Sequence, residues 1–134
     1  MTTFRVESVR LGTTLEKAFP YIADPQNLPR WTHAFKAVRD GKAILETPAG
    51  AVEIGLTVAA SAPHGTIDWH MTFPNGEGAS AFSRLVREAG EHCIYSFVLL
   101  APPVPLEQLE GTLNEQTHIL REELTKLSFI LAKA

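Results

Sequence analysis

Arg84 is the charged side chain in this sequence with most to offer chemistry. It lies in the run Ala79–Glu88, where Phe82 and Val86 favour one strand face and Arg84 falls between them on it. An arginine on an apolar face must pair or reach water. A guanidinium there could hold a carboxylate or phenolate through two hydrogen bonds. An internal ion pair, or a face assignment off by one residue, would remove that role. Asp68 and His70 are two apart on a strand, so they share a face, and an Asp–His pair can serve as an oriented general base. Trp69 and Met71 claim the inner face, however, which sends Asp68 and His70 outward as a solvated pair. Glu115 and His118 have the Glu-x-x-His spacing of a helical metal site, but one such pair supplies only two ligands and no Cys/His cluster supplements it. Cys93 reads as a small hydrophobe rather than a nucleophile. The sequence has no Gly-x-Ser-x-Gly elbow, phosphate-binding glycine loop or nucleotide fingerprint. No catalytic residue is assigned, and neither a metal nor a cofactor is called for.

A second set of candidates is apolar with polar points. Trp69, Met71, Phe82, Tyr95 and Phe97 could line a pocket for a ring system, because aromatic side chains bury large area and tyrosine keeps a polar handle. Plain core packing is the competing reading for each of them singly. Gln116 and Thr117 interrupt the leucine stripe of the C-terminal helix between Leu113 and Leu120, and they could bond a ligand, strand backbone or a buried water.

The element that must position these residues is one long amphipathic helix over about 105–133. Leucines at 106, 109, 113, 120, 124, 127 and 131 fall in steps of three, four or seven, which is one stripe of a helix. Pro105 suits a first turn, where its missing N–H would have had no partner. Glu107 and Glu110 sit near the positive end of the helix dipole, Lys126 and Lys133 near the negative end. Polar groups on a buried stripe cost a few kcal/mol (about 2–7 without a partner) unless something bonds them. With Gly111 adding no volume, the gap at Gln116 and Thr117 predicts a largely apolar cavity between Leu113–Leu120 and the rest of the molecule, with Arg84, Gln116 and Thr117 as its polar points.

Before that helix, a first strand is expected over about 3–11. Thr13 or Thr14 can cap a helix whose apolar face is Leu15, Ala18, Phe19 and Ile22, with Pro20 kinking it or ending it early. Asp24 and Pro25 open a second capped turn or short helix to Trp31. Runs 35–39, 43–47, 52–61, 66–73, 79–88 and 92–100 follow, each bounded by a turn signal such as Asp40–Gly41 or Pro74–Asn75–Gly76. Strands in unbroken succession with short turns form an antiparallel meander. Val52, Ile54, Leu56 and Val58 share one face, as do Ile67, Trp69, Met71 and Phe73; Tyr95 and Phe97 compete with Ile94 and Val98 in the last strand. A meander burying one face on one long helix is a two-layer α+β domain.

The 134 residues fit one domain, and an apolar fraction of 45% suffices for one core. Net charge is −3 without a run of Lys or Arg, which speaks against nucleic acid or an acidic membrane as partner. One cysteine allows no internal disulfide, and neither a signal-peptide pattern nor a membrane-spanning apolar stretch appears. The expected location is the cytoplasm.

The element order, together with Ala23–Asp24–Pro25–Gln26–Asn27–Leu28–Pro29–Arg30–Trp31, resembles the SRPBCC superfamily (START lipid-transfer domains, birch-pollen-allergen-like proteins and polyketide cyclase/dehydratase-like proteins), in its small bacterial form. Gly65–Thr66–Ile67–Asp68, the strand carrying Arg84, and Phe97–Val98–Leu99–Leu100–Ala101–Pro102–Pro103 leading into the final helix are similar too, so the resemblance spans nearly the whole of 1–134. It implies a helix-grip fold: a curved seven-stranded antiparallel sheet wrapped around the C-terminal helix, two short helices after the first strand, and a cavity between sheet and helix. Trp31, as a packing anchor, and His33 would then lie near the cavity mouth. It carries no universal catalytic motif. The first functional expectation is binding or carriage of a small hydrophobic molecule, aromatic or polyketide-like, by Trp69, Met71, Phe82, Arg84, Tyr95, Phe97, Leu113, Gln116, Thr117 and Leu120. The second is a cyclase or dehydratase-type enzyme. The third is a protein–protein module with a collapsed cavity, and apolar outer positions on the last strands leave room for that or for a homodimer.

Overall fold

The computed structural model describes residues 3–47, 50–101 and 106–132, without the side chains of residues 47 and 106–110. Strand β1 (Phe4–Leu11) leads into helix α1 (Leu15–Ala23), a single 3-10 turn (Pro25–Asn27) and the short α2 (Leu28–Trp31). Strands β2 (Phe35–Arg39), β3 (Lys42–Thr47), β4 (Gly50–Ser61), β5 (Thr66–Thr72), β6 (Gly78–Glu88) and β7 (His92–Leu100) follow, then α3 (Leu106–Ala132). They form one antiparallel, curved sheet in the order β1-β7-β6-β5-β4-β3-β2. This is the α+β helix-grip arrangement that the sequence predicts. Pro105 and Lys133 lie outside the described residues, as do the side chains of Leu106, Glu107, Leu109 and Glu110.

Local chemistry accounts for the boundaries. The Thr14 side chain accepts from the Lys17 N–H and caps α1, which continues past Pro20 to Ala23, so no early end occurs. Asp24 accepts from the Gln26 N–H, opening the 3-10 turn with Pro25 at its start. Asp40 and Gly41 both take positive φ, 51° and 77°, the geometry of a tight two-residue hairpin between β2 and β3. Gly65 is the glycine that nothing else can replace. Its φ is +71°, and a Cβ there would lie 2.3 Å from the Leu85 carbonyl oxygen, whose own N–H donates to Gly65 O at 2.7 Å.

The inner, concave face holds Ile54 and Leu56 of β4, Ile67 and Trp69 of β5, Ala81, Ser83 and Leu85 of β6, and Cys93 and Tyr95 of β7, all buried. Leu113, Leu120, Leu124, Leu127 and Leu131 of α3 are buried at no more than 4% exposure, as the stripe requires. Polar contacts tie α3 to the edge strand: Arg5 donates to the Asn114 side chain at 2.8 Å, and Arg121 pairs with Glu7. Helix α1 is fastened to the sheet by a Glu16–Arg87 pair.

Strand β6 corrects the expectation for Arg84 and Phe82. The face shared by Phe82, Arg84 and Val86 is the outer one; Phe82 is 38% and Val86 43% exposed. The reason is volume. Ala81 lies opposite Trp69, and Ser83 between Ile67 and Phe97, so small residues on β6 make room for large ones on its neighbours. The apolar residues at 82 and 86 belong to an outer patch with Phe4, Val6 and Leu100. In β7 the ambiguity resolves for Tyr95 and Phe97, which point inward; Ile94 and Val98 lie on the other face.

Candidate functional site

A cavity of about 100 Å³, partly open to the surface, lies between α2, the start of β2, the inner sheet and α3. Trp31, Trp69, Met71, Phe97 and Leu120 line it together with Leu28, Thr32, Phe35, Ala81 and Glu123. Four predicted site residues, Trp69, Met71, Phe97 and Leu120, meet there. The other six do not line it. Phe82 and Arg84 stand on the outer face of the sheet, where Arg84 is exposed and makes no hydrogen bond or ion pair among the described residues. Tyr95, Leu113, Gln116 and Thr117 lie elsewhere in or beside the core.

The polar gap in the leucine stripe thus has a different explanation from a cavity at its centre. Thr117 is 4% exposed and donates its hydroxyl to the Leu113 carbonyl at 2.7 Å, one turn back in the same helix. That bond satisfies the buried hydroxyl without a ligand. Gln116 is half-buried at the side of the stripe. The cavity sits about one turn further along, at Leu120 and Glu123.

Glu123 is the ionisable group in the wall. Its Oε2 accepts from the backbone N–H of His33 at 2.7 Å, pinning the turn between α2 and β2 onto α3. Its Oε1 has no hydrogen-bond partner among the described residues and is not one of the sealed, unpartnered atoms. Burial pushes the carboxyl above the usual carboxylate range, opposed by the His33 N–H and the His33 side chain and reinforced by Glu122. The spacing contains the signal for it: Glu123 follows Leu120 by three and precedes Leu127 by four, an inward position of the same stripe. The Thr32 hydroxyl, also in the wall, donates to Leu28 O at 2.7 Å and keeps its lone pairs free.

Two of the lining aromatics, Trp31 and Phe97, rest on a third that does not itself line the cavity. Tyr95 packs edge-on against Trp31 and Phe97, with ring centroids 6.4 and 6.3 Å away. It is fully buried and donates to Ser83 Oγ at 2.9 Å, and Ser83 donates on to the Ile67 carbonyl at 2.6 Å. Burial drives the Tyr95 hydroxyl far above its ordinary pKa, against the bond to Ser83 and the nearby Trp69 N–H. The hydroxyl is therefore a structural donor, not an acid. Trp31 and Trp69 are 2% and 5% exposed; the Nε1–H of each is sealed and meets no acceptor at hydrogen-bonding geometry.

The remaining candidates behave as surface or core. His70 is exposed on the outer face, bonded to Ser80 Oγ at 2.8 Å and edge-on to Phe82, while Asp68 makes no bond to it. His118 pairs with Glu122 at 3.1 Å rather than with Glu115, and among the described residues no three His, Cys, Asp or Glu side chains could hold a metal ion. Cys93 is buried and burial raises its thiol pKa. No helix among the described residues is long and apolar enough to cross a membrane.

No protein-family model matches the sequence, and no curated protein does. Solved structures do match in fold. A START superfamily protein from Mycobacterium smegmatis superposes with a TM-score of 0.70 at 12% identity, over 98% of this chain and 99% of that one. A conserved protein from Geobacillus kaustophilus gives 0.72 at 16% identity, over 98% and 96%. The di-domain ARO/CYC BexL from the BE-7585A biosynthetic pathway gives 0.73 at 12% identity, over 96% of this chain and 46% of that one. The chain thus has the SRPBCC-like fold, which START and aromatase/cyclase proteins share.

Proposed function

We propose that the protein binds a small, largely apolar ligand in the cavity between α2, the sheet and α3. One observation carries this reading: about 100 Å³ stands open beside the buried Trp31, Trp69 and Leu120 and the half-buried Phe97, where protein interiors tolerate few voids. The fold shared with a START superfamily protein and an aromatase/cyclase supports it. Size narrows the ligand. An engineered cavity of about 150 Å³ takes benzene, so the enclosed part of this ligand is at most one small ring or a short chain, and any remainder extends through the open side. A polycyclic ring system does not fit the cavity at this volume.

The test is titration with toluene, followed by the fluorescence of Trp31 and Trp69 in the cavity wall, on wild type and on Ala81→Leu, which adds bulk at the wall opposite Trp69. Loss of toluene binding in a folded Ala81→Leu supports the proposal. Undiminished toluene binding by that variant refutes it.

A second reading is acid–base chemistry of cyclase or dehydratase type. Glu123 favours it, a carboxyl held toward its protonated form at a cavity wall, which is how a general acid is prepared. Turnover of a ring-forming substrate that Glu123→Gln abolishes without weakening binding would move this reading to first; binding without turnover leaves the carrier reading in place.

A further inference from the structure

The charge of the cavity wall can be read from its residues, and it bears on which ligands enter. Among the described residues that line the cavity Glu123 is the one ionisable side chain, and no Lys, Arg or His joins it. The groups that face this carboxylate are few. From the turn between α2 and β2, the His33 N–H bonds Oε2 at 2.7 Å, while the His33 ring lies 3.7 Å from Glu122 instead. On α3 itself the neighbour is Glu122, which also takes His118 at 3.1 Å. The strands contribute no charge: Trp69, Met71, Ala81 and Phe97 are what the sheet presents. One carboxylate oxygen therefore meets a backbone N–H, and the other, Oε1, has no hydrogen-bond partner among the described residues.

A half-buried carboxylate whose nearest titratable cation, the His33 ring, is turned toward Glu122 is held at a cost, and the usual remedies are a cation in direct contact or a proton. The wall supplies no cation. It supplies four aromatic side chains, Trp31, Phe35, Trp69 and Phe97, whose π-faces carry negative potential and attract cations. The sealed indole N–H groups add no donor to the space, and the Thr32 oxygen adds an acceptor. Among the described side chains, the polar features open to a ligand are the Thr32 oxygen and, when ionised, the Glu123 carboxylate, both electron-rich. A carboxylate ligand would meet Glu123 with like charge and find no guanidinium, because Arg84 is on the far side of the sheet.

We infer that the cavity selects a compact organic ammonium of single-ring size over the corresponding carboxylate, with Glu123 Oε1 as the partner of the positive charge. The inference rests on the proposal that this cavity is a ligand site, and the experiment separates the two. The chain's two tryptophans both line the cavity, so intrinsic fluorescence reports occupancy directly. Benzylammonium, benzyl alcohol and benzoate are titrated at pH 7 into wild type and Glu123→Gln, a variant that removes the charge and leaves an oxygen for the His33 N–H. Benzylammonium is expected to bind at least tenfold more tightly than benzoate to wild type. Glu123→Gln is expected to lose that advantage while benzyl alcohol binds both proteins alike. Benzoate binding as tightly as benzylammonium overturns the inference and leaves the cavity proposal standing, as does a preference that survives Glu123→Gln. Failure of all three probes overturns both. Should Glu123→Gln not fold, His33→Asn takes its place, with the imidazole titration removed. Benzylammonium affinity must then rise with pH as Glu123 ionises while benzyl alcohol stays flat, and a flat benzylammonium profile overturns the inference.

Discussion

The Tyr95–Ser83–Ile67 chain of hydrogen bonds makes a prediction in which two deletions of one oxygen each do unequal damage. The Tyr95 hydroxyl donates to Ser83 Oγ, and Ser83 donates to the Ile67 carbonyl, all buried beneath the inner sheet. Ser83→Ala removes only an oxygen, yet it strands the Tyr95 hydroxyl without an acceptor in a place water does not reach. A buried unsatisfied donor costs about 1–3 kcal/mol, and the lost bond to Ile67 adds about 1 kcal/mol, so the expected loss is about 2–4 kcal/mol. Tyr95→Phe leaves Ser83 still donating to Ile67 and strands no donor. Its expected cost is one neutral bond, about 0.5–1.5 kcal/mol. The double variant has no stranded hydroxyl and is expected to be more stable than Ser83→Ala alone by about 1 kcal/mol. Urea denaturation of the four proteins, with unchanged slopes, measures this cycle. Equal losses for the two single variants, or additive losses in the double, would show that the chain is not what holds Tyr95 under Trp31 and Phe97.

Leu120→Ala should cost about 2–5 kcal/mol as a buried large-to-small change on the central stripe; a loss under about 0.5 kcal/mol in denaturant would remove Leu120 from the core. Gly65→Ala should destabilise by well over about 1 kcal/mol, because its Cβ meets Leu85 O at a positive φ, and a thermal midpoint equal to wild type would contradict that contact. Glu123 gives a pH dependence. Its folded pKa is raised, so the folded state holds this proton more tightly than the unfolded chain. Its contribution is full below the ordinary carboxylate range and is lost as pH rises through the raised value. Wild type should therefore lose stability relative to Glu123→Gln over that rise, and parallel stability–pH curves would show Glu123 to be unperturbed.

Much of this protein follows from periodicity. The steps of three, four and seven placed Leu113, Leu120, Leu124, Leu127 and Leu131 on one buried stripe, because an α-helix turns every 3.6 residues whatever surrounds it. Alternation separated Trp69 and Met71 from Asp68 and His70, and turn residues such as Asp40–Gly41 marked where strands reverse, since few residues tolerate positive φ. These are properties of short stretches, and short stretches are what a sequence displays. The direction of a face is another matter. In β6, alternation offered Phe82, Arg84 and Val86 against Ala81, Ser83 and Leu85, and hydropathy favoured the wrong set. The decision lay with the strands on either side, whose Trp69 and Phe97 leave room only for small neighbours. Volume is shared across residues far apart in the chain, and so is the cavity. Thr117 can satisfy itself within its own helix, whereas Glu123 acquires its character from the His33 backbone, ninety residues away, and from the aromatic wall that tertiary packing assembles around it.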